Sequence, residues 1–358
     1  MTGQRFSDAC GMVRPLDSAA ASAAAEYQDR LAKPRGSLGR LEEIGIRLCA
    51  IAGACPPPVP EPVTVVVFAG DHGVVAEGVT PWPQEVTAQM VANFCAGGAA
   101  INVLARHAGA EVVVVDVGVA TAIPTDSDAL VRRNVRPGTR NLAVEAAMTT
   151  DEANAALDVG VELAKRAVSQ GARMLVTGDM GIGNTTSAAA LISACTGRRS
   201  AEVTGRGTGI DDATLLRKRA VVEQALSRVP PHSDPLVVLA ELGGLEIAAL
   251  CGFVVAGASS RVPVVVDGVI AAAAALVAAA FAPEVVGYLV VGHRSSEPGS
   301  SAVLEELGLS PVLDLAMRLG EGTGAALAVP TVQAAAKILR EMATFDSAGV
   351  SDKADSTS

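Results

Sequence analysis

Apolar residues fall along this chain in short continuous runs, separated by longer segments with helical spacing. The runs are rich in β-branched residues and do not alternate with polar ones, as expected for parallel strands buried on both faces. They occur at Thr64–Phe68, Glu111–Val117, Met174–Thr177, Val262–Val266 and Val285–Val291. Strands that alternate with helices predict an α/β fold with a mostly parallel sheet.

Helical spacing fills the segments between these runs and dominates both ends of the chain. The predicted helices are Ala19–Leu31, Arg40–Ala52, Pro83–His107, Thr150–Gln170, Thr185–Cys195, Asp211–Leu226, Gly244–Gly257, Gly268–Phe281 and Gly324–Met342. A proline-rich linker, Pro56–Pro62, separates the first two helices from the first strand. The polar segment Asp346–Ser358 is predicted to be a disordered tail.

Composition and charge narrow the classes of function. Of the 358 residues 50% are hydrophobic and 18% are charged, so the chain can bury a sizeable core. A net charge of −10 disfavours nucleic acid and anionic membranes as partners, and 3% aromatic residues argue against a protein that stacks on bases.

No signal for export or membrane insertion is found in the sequence. The N-terminus has no basic residues followed by an apolar run, as a secretory signal requires. The most membrane-like segment, Val269–Ala282, is shorter than the roughly 20 residues of a spanning helix and is typical of a buried one. We therefore expect a cytoplasmic protein that acts on a small molecule.

Glycines and polar side chains concentrate where the predicted strands end. AGDHGV (Ala69–Val74), GDMGIGNTT (Gly178–Thr186) and GHRSSEPG (Gly292–Gly299) each follow a strand. Ligands of open α/β sheets bind at the carboxyl ends of the strands. Glycines that only turn the chain are the alternative. They would not explain why Asp, His, Asn, Arg and Glu cluster at the same places.

The segment Gly178–Leu191 is the strongest candidate site. Its glycines let the backbone approach a ligand, and the helix that starts near Thr185 offers unpaired N–H groups at its positive end. The pattern matches neither GxxxxGK[ST] nor GxGxxG, so it indicates a phosphate without indicating ATP or a dinucleotide. A plain turn with Asn184 or Thr185 as helix cap is the alternative.

Two further glycine-rich segments carry charged residues. GRGTGIDD (Gly205–Asp212) precedes a helix with Arg217, Lys218 and Arg219, of which one could reach a phosphate, although such a trio is usually solvated. RLGEGTGAALA (Arg318–Ala328) places Glu321 between glycines. In an apolar pocket this carboxylate would have a raised pKa suited to acid–base catalysis. The alternative is a helix-start residue favoured by the dipole.

The histidines suggest a metal site less strongly. His72 and His293 lie near Asp71, Arg294 and Glu297, but there is no HExxH motif and no clustered His/Cys set. Hydrogen-bonded structural histidines are the simpler interpretation, and a metal-dependent hydrolase built on Asp71, His72 and His293 is a third hypothesis.

Nine ordered motifs resemble those of the nicotinate-nucleotide–dimethylbenzimidazole phosphoribosyltransferase family. They are KPRGSLGRLE (Lys33–Glu42), FAGDHGV, PQEVTAQM (Pro83–Met90), GDMGIGNTT, GRGTGIDD, GGLEIAAL (Gly243–Leu250), PVVVDG (Pro263–Gly268), GHRSSEPG and RLGEGTGAALA. Together they cover the chain from about Lys33 to Ala336. The resemblance is therefore both specific and nearly complete.

The resemblance implies a fold, a reaction and an assembly. The expected fold is a Rossmann-like mostly parallel sheet (61–320) and a smaller helical domain from both chain ends (1–60 and 321–345), before the tail (346–358). The implied reaction converts nicotinate mononucleotide and 5,6-dimethylbenzimidazole to α-ribazole 5'-phosphate and nicotinate, in cobalamin biosynthesis. A homodimer without metal or other cofactor is implied. The alternative from another class is a non-catalytic module that binds the mononucleotide.

The resemblance also implies the roles of individual residues. Glu321 falls on the family's catalytic base, and Asp179 stands where the family commonly has Glu. The residues implied at the nucleotide and phosphate are Asp179, Met180, Gly181, Ile182, Gly183, Asn184, Thr185, Gly207, Lys218 and Arg318. Those implied at the benzimidazole are Thr80, Trp82, Gln89 and Leu319, with Gln89 as the preferred polar contact.

Overall fold

A single parallel sheet of seven strands forms the centre of the molecule in the computed structural model, which describes residues 3–351. The strands are β1 (Val63–Gly70), β2 (Ala110–Gly118), β3 (Leu130–Arg132), β4 (Met174–Met180), β5 (Val264–Val266), β6 (Leu289–His293) and β7 (Pro311–Leu313). Their spatial order is β3-β2-β1-β4-β5-β6-β7, and every pair is parallel. The predicted α/β fold class is confirmed.

Fifteen α-helices are present in the described part of the chain. They are α1 (Gln4–Met12), α2 (Ser18–Arg30), α3 (Arg40–Ala52), α4 (Glu85–Cys95), α5 (Ala100–Ala108), α6 (Thr150–Ser169), α7 (Asn184–Thr196), α8 (Ser200–Val203), α9 (Asp212–Leu226), α10 (Pro235–Leu242), α11 (Leu245–Ser259), α12 (Val269–Phe281), α13 (Pro298–Leu307), α14 (Thr323–Glu341) and α15 (Phe345–Ala348). Two 3₁₀ helices, Gly73–Glu77 and Pro283–Tyr288, complete the secondary structure.

Both faces of the sheet are covered, which explains why the strand sequences are apolar without alternation. Val66 and Phe68 of β1 enter one core, whose helices include α6, α7, α11 and α12. Val65 and Val67 of the same strand enter the other, with α3, α4, α5 and α14. A strand sandwiched in this way needs an apolar side chain at every position.

The helices from the two ends of the chain pack together. Ala24 of α2, Cys49 of α3 and Leu339 of α14 share a buried cluster with Leu31. Leu31 also forms an isolated antiparallel bridge with Thr344. This packing agrees with the smaller helical unit that the sequence predicts, while the boundaries of two domains stay a prediction.

Several predicted elements differ from the structure. Val285–Tyr288 lies in a 3₁₀ helix, so β6 begins only at Leu289. The predicted helix Pro83–His107 is two helices, because the chain turns at Gly97 and Gly98 between α4 and α5. The first residues of the predicted disordered tail belong to α15, and its last residues, 352–358, lie outside the described part of the chain.

One stretch, Glu85–Ala108, is long and apolar enough by composition to cross a membrane. It consists of α4 and α5 with the turn between them, and both helices contribute buried residues to the core beside the sheet. Core helices of globular proteins pass the same test of length and hydropathy, so the stretch is weak evidence for a membrane segment.

The strands that follow β1 are added first on one side of it and then on the other. From β1 the chain moves outward to β2 and β3, and it then returns to place β4 on the other side of β1. This arrangement makes a topological switch point between β1 and β4, where the loops that follow the two strands separate and leave a crevice. The crevice is where a ligand is expected.

Candidate active site

A cavity of about 330 Å³ opens at the carboxyl edge of the sheet. The loops that follow β1, β4, β5 and β6 contribute to its wall, together with the segment that precedes α14. Its lining residues are Trp82, Val86, Met90, Asp179, Met180, Gly181, Ile182, Asn184, Thr185, Gly207, Thr208, Gly268, Val269, Ile270, His293, Ser295, Glu297, Arg318, Leu319, Gly320 and Glu321. The lining combines the acidic side chains of Asp179, Glu297 and Glu321 with apolar ones.

Glu321 has a backbone conformation that residues other than glycine rarely adopt. Its φ is +63°, between Gly320 at +88° and Gly322 at +93°. A left-handed conformation is unfavourable for a residue with a Cβ atom, and such residues concentrate at functional sites. The neighbouring strand β4 also needs a glycine at position 178, since a Cβ added at Gly178 would lie 2.6 Å from the carbonyl oxygen of Glu321.

The peptide units on both sides of Glu321 are held by hydrogen bonds. The N–H of Glu321 donates to the carbonyl oxygen of Asp179 at 3.2 Å. The N–H of Gly322 donates to Oδ2 of Asp267 at 3.1 Å, and that of Ala325 donates to Oδ1 of Asp267 at 2.9 Å. Asp267 thus caps the start of α14 immediately after Glu321.

The carboxylate of Glu321 is almost wholly buried, with 5% of the residue exposed. Burial raises its pKa above the ordinary 4.5, and the negative charge of Asp267 adds to that effect. The N–H of Ile101, 3.2 Å from Oε2, lowers the pKa and so opposes both. A buried carboxylate with raised proton affinity, placed in a cavity wall, is suited to act as a general base.

Asp179, the next-to-last residue of β4, lies beside this turn and belongs to a group of buried carboxylates. Its Oδ2 accepts a hydrogen bond from Asn184 at 3.0 Å, while its Oδ1 has no partner among residues 3–351. Burial raises its pKa well above the ordinary value, and the nearby charges of Asp267, Glu246 and Glu321 raise it further. The cavity therefore presents Asp179 as a polar group without a complete set of partners.

The loop after β4 leads directly into α7. Gly183, with φ +94°, precedes the helix, and its position offers no side-chain cap. A side chain at Gly183 would meet Val75 at 3.0 Å, so the loop passes close to the segment after β1. The N–H groups of Asn184 and Thr186 donate to the carbonyl oxygens of Gly181 and Gly183, at 3.1 and 3.0 Å, so it is the positive end of the helix dipole that suits an anion here.

Lys218 supplies a cation beside this helix start. It is 2% exposed, and its Nζ donates to Oγ1 of Thr185 at 2.7 Å and to the carbonyl oxygen of Gly205 at 3.3 Å. Burial lowers its pKa to about 8, against the opposing effect of Glu297. A small cavity of about 40 Å³ touches Lys218 and shares the Gly181–Thr185 loop with the larger one.

A buried carboxylate organises the neighbouring glycine-rich loop. Oε1 of Glu297 accepts a hydrogen bond from the N–H of Gly207 at 2.8 Å. The carbonyl oxygen of Gly207 in turn accepts a hydrogen bond from the guanidinium of Arg318 at 2.7 Å. This arrangement holds Arg318 at the edge of the cavity, near the helix start of α7.

The two histidines of interest lie in different surroundings. His72 is fully buried, with Nε2 2.6 Å from Oε1 of Glu246, and His293 has Nε2 3.5 Å from Oδ1 of Asp267. Between residues 3 and 351 no three His, Cys, Asp or Glu side chains are grouped so that they could hold a metal ion. The geometry therefore gives no support to the metal-dependent hydrolase.

Most of the residues implied by the family resemblance come together in the structure. Asp179, Met180, Gly181, Ile182, Asn184, Thr185, Gly207, Arg318, Glu321, Trp82 and Leu319 line the larger cavity. Gly183, Lys218 and Thr80 line the smaller one. These residues come from segments as far apart as the loop after β1 and the start of α14.

Gln89 is the exception. It is exposed and lines neither cavity, because α4 presents Val86 and Met90, one helical turn apart, to the larger cavity. Thr80 likewise does not line the larger cavity. It lines the smaller one, and its Oγ1 accepts the N–H of Trp82 at 3.2 Å.

The structure adds residues that sequence reasoning missed. Val86, Met90, Val269 and Ile270 form an apolar wall with Trp82 and Leu319. Asp267 was missed because the glycine that follows it suggests only a simple turn. The signal that could have found it is a carboxylate between a valine-rich strand and an alanine-rich helix, where a polar group needs a buried partner. Glu246, fully buried in the apolar helix α11, carries the same signal.

The comparisons with known proteins agree with one another. A family model described as phosphoribosyltransferase matches residues 13–350. Nicotinate-nucleotide–dimethylbenzimidazole phosphoribosyltransferase of Salinispora tropica is 58% identical over 355 residues, which cover 95% of this chain and 98% of that protein. The protein of the same name from Chloroflexus aggregans is 55% identical over 342 residues, or 95% of this chain and 96% of that protein.

A solved structure is similar over nearly the whole fold. The crystal structure of nicotinate-nucleotide–dimethylbenzimidazole phosphoribosyltransferase from Thermus thermophilus matches with a TM-score of 0.90 and 49% sequence identity. The match covers 94% of this chain and all of that one.

Proposed function

Given that the chain belongs to the nicotinate-nucleotide–dimethylbenzimidazole phosphoribosyltransferase family, we propose that its active site is the cavity at the carboxyl edge of the sheet. The enzyme transfers the ribose phosphate of nicotinate mononucleotide to 5,6-dimethylbenzimidazole, which gives α-ribazole 5'-phosphate and nicotinate. The single observation that carries the site is the buried, left-handed Glu321 in the cavity wall. The family resemblance seen in the sequence is confirmed.

Glu321 acts as the general base. The nitrogen of dimethylbenzimidazole that has a free lone pair attacks the anomeric carbon of the ribose, and positive charge develops on the ring. The other ring nitrogen then gives its proton to the carboxylate of Glu321. Nicotinate leaves with the electron pair of the broken C–N bond, and because its nitrogen was already positive, no acid is needed. Attack from the opposite face inverts the anomeric carbon.

The ribose and phosphate bind along the loop after β4 and the start of α7. The residues are Met180 at the end of β4, Gly181, Ile182 and Gly183 in the loop, and Asn184 and Thr185 at the start of α7. Asp179 faces the ribose with its unpartnered oxygen. Lys218, Gly207 and Arg318 complete the anion site at the positive end of the helix. Aspartate is shorter than the glutamate that the family commonly has, so a water molecule bridges Asp179 to the ribose.

The benzimidazole binds against the apolar wall. Trp82 and Leu319 are 48% and 56% exposed although both line the cavity, so an aromatic ring between them would remove apolar surface from water. Gln89 and Thr80 do not line this cavity, so neither is proposed to contact the base. The polar contact of the base is therefore to Glu321.

A homodimer in the cytoplasm is the proposed state of the enzyme. The resemblance to the family supports both, and size-exclusion chromatography with light scattering measures the assembly directly. A mass of twice 36.0 kDa is expected, and a monomer would contradict the proposal.

Product formation tests the function. The purified protein is incubated with nicotinate mononucleotide and 5,6-dimethylbenzimidazole, and α-ribazole 5'-phosphate and nicotinate are measured by chromatography. Equal amounts of both products, unaffected by a chelator, are expected. Binding of the mononucleotide without product would instead identify a non-catalytic binding module.

A further inference from the structure

We propose that Asp267 is a positioning residue, which holds the turn that carries Glu321 by two hydrogen bonds to backbone N–H groups and places a negative charge beside that turn. The inference rests on the proposed function, since it assigns a second carboxylate to the base of that reaction. Asp267 follows β5, is 1% exposed and does not itself line the cavity. It therefore acts through Glu321 and not on the substrate.

The turn cannot keep its shape by local preference alone. Three consecutive residues, Gly320, Glu321 and Gly322, have positive φ, and the middle one bears a side chain. The glycines accept this conformation readily, but Glu321 does not, so contacts from outside must impose it.

Asp267 makes the contacts that fix this turn on its carboxyl side. Oδ2 accepts the N–H of Gly322, which belongs to the peptide unit directly after Glu321, and Oδ1 accepts the N–H of Ala325 one turn of helix further on. On the other side the N–H of Glu321 donates to Asp179 of β4. The base is thus held between two neighbouring strands of the sheet.

Asp267 is itself placed by the sheet. Its N–H donates to Oγ1 of Thr177 at 3.0 Å, and this hydroxyl donates to the carbonyl oxygen of Val265 at 3.2 Å. Thr177 lies on β4 and Val265 on β5, so two paired strands fix the backbone of Asp267. A carboxylate on such a rigid support can determine the position of a catalytic turn.

The charge of Asp267 acts on the same group. It raises the pKa of Glu321, whereas the N–H of Ile101 on α5 lowers it. The other charged or titratable groups around the turn are Asp179 on β4, Glu246 on α11, His293 on β6 and Arg318 just before the turn. Of these side chains, Asp267 alone both hydrogen-bonds the turn and adds to the proton affinity of the base.

Two substitutions separate position from charge. Asp267→Asn removes the charge and replaces one acceptor with an amide N–H that faces an N–H. We expect kcat to fall about tenfold or more, because small displacements of a catalytic group are costly. We also expect a shift in the acid limb of the pH profile of kcat, which is the range where the rate falls because the base becomes protonated. Without the charge of Asp267 this limb should move to lower pH. Asp267→Glu keeps the charge but displaces the turn, so kcat should fall while the limb stays.

Three controls make the result specific. Wild type establishes turnover, and Glu321→Gln establishes the loss of the base. Asp116→Asn is the matched control, since Asp116 is also a buried aspartate near a strand end, with Oδ1 accepting the N–H of Val119 at 2.9 Å, and it lies outside the cavity. Its variant should keep both kcat and the acid limb.

The outcomes are distinguishable. No product from wild type overturns the proposed function, whereas an active wild type with an unchanged Asp267→Asn variant overturns only this inference. A lower kcat with an unmoved acid limb in Asp267→Asn shows a purely structural role and also overturns it. If neither Asp267 variant binds nicotinate mononucleotide in a folded state, as judged by calorimetry and thermal unfolding, the residue serves the fold as a whole and the inference is wrong.

Discussion

The carboxylate of Glu321 accepts a hydrogen bond from the backbone N–H of Ile101, 3.2 Å from Oε2. Ile101 lies in the first turn of α5, where N–H groups have no partner within the helix and the dipole is positive. This contact stabilises the ionised carboxylate that burial disfavours. The balance of this contact against burial and the charge of Asp267 sets the pKa of Glu321.

We expect an acid limb in the pH profile of kcat that reports the ionisation of Glu321. A base must be deprotonated, so the rate should fall as the pH drops through its pKa, and this limb should lie above pH 4.5, the ordinary value. Initial rates at saturating substrates measure it. A limb that moves when the benzimidazole is replaced by one of different basicity would belong to the substrate and not to Glu321.

Glu321→Gln should lose most turnover and keep nicotinate mononucleotide binding. The amide has nearly the same shape but cannot accept the proton, and general bases typically contribute about 10²- to 10⁴-fold. Chromatographic rates and calorimetric binding measure the two effects. Glu306→Gln, at an exposed glutamate on α13, is the control. Near-normal turnover of Glu321→Gln would remove Glu321 as the base.

Asp179→Asn should stabilise the protein while it lowers activity. The folded-state pKa of Asp179 is raised well above 3.8, so ionisation costs the folded state free energy that the unfolded state does not lose. This penalty is absent below about pH 3.8, grows as the pH rises through the folded-state pKa and is complete above it. Thermal unfolding at neutral pH should show a gain of about 1–2 kcal/mol that shrinks in acid. A gain that does not depend on pH would contradict this account.

Lys218→Met should weaken nicotinate mononucleotide binding more than it slows turnover. In the proposed site the lysine, whose Nζ donates to Oγ1 of Thr185, contacts the phosphate, and a charged hydrogen bond contributes enough to raise KM about tenfold or more. Because the pKa of Lys218 is about 8, KM of the wild type should also rise as the pH passes that value. Lys165→Met, at an exposed lysine of α6, should change neither. An unaltered KM in Lys218→Met would place the phosphate elsewhere.

Leu319→Ala should raise KM for dimethylbenzimidazole about five- to tenfold, because the ring loses apolar contact. KM for nicotinate mononucleotide should stay within error. Leu216→Ala is the matched control, since Leu216 is 66% exposed and Leu319 is 56% exposed, but only Leu319 lines the cavity. Equal effects of the two variants would exclude Leu319 from the base site.

The strands at the centre of the sheet were predictable because they are buried on both faces and so leave an apolar run in the sequence. The edge strands β3 and β7 have three residues each and include Arg132 or Pro311, so no such run marks them. At Val285–Val291 the prediction made a strand too long. The first half of this apolar run lies in a 3₁₀ helix, whose side chains are apolar because they are buried there and not because they belong to the sheet.

The parts of the candidate site that lie in glycine-rich motifs were also predictable. Glu321 stands between two glycines, a pattern that left both a general base and a helix-start residue open; the family resemblance implied the base, and the structure places the residue in the cavity wall. The role of Asp267 depends on hydrogen bonds to a turn more than fifty residues later, which no local pattern contains. The exposure of Gln89 likewise depends on how α4 is rotated against the sheet.

The contact between Ile101 and Glu321 joins residues 220 positions apart, which orders the events of synthesis. When the ribosome has completed β1 to β6, the nascent chain contains the nucleotide loop, Lys218 and most of the apolar wall. It still lacks Glu321, which is made just before α14, the last long helix, whose apolar residues pack in the core on one face of the sheet. With Glu321 as the proposed base, no turnover is possible before the segment from Gly320 onward is made and α14 has joined the core.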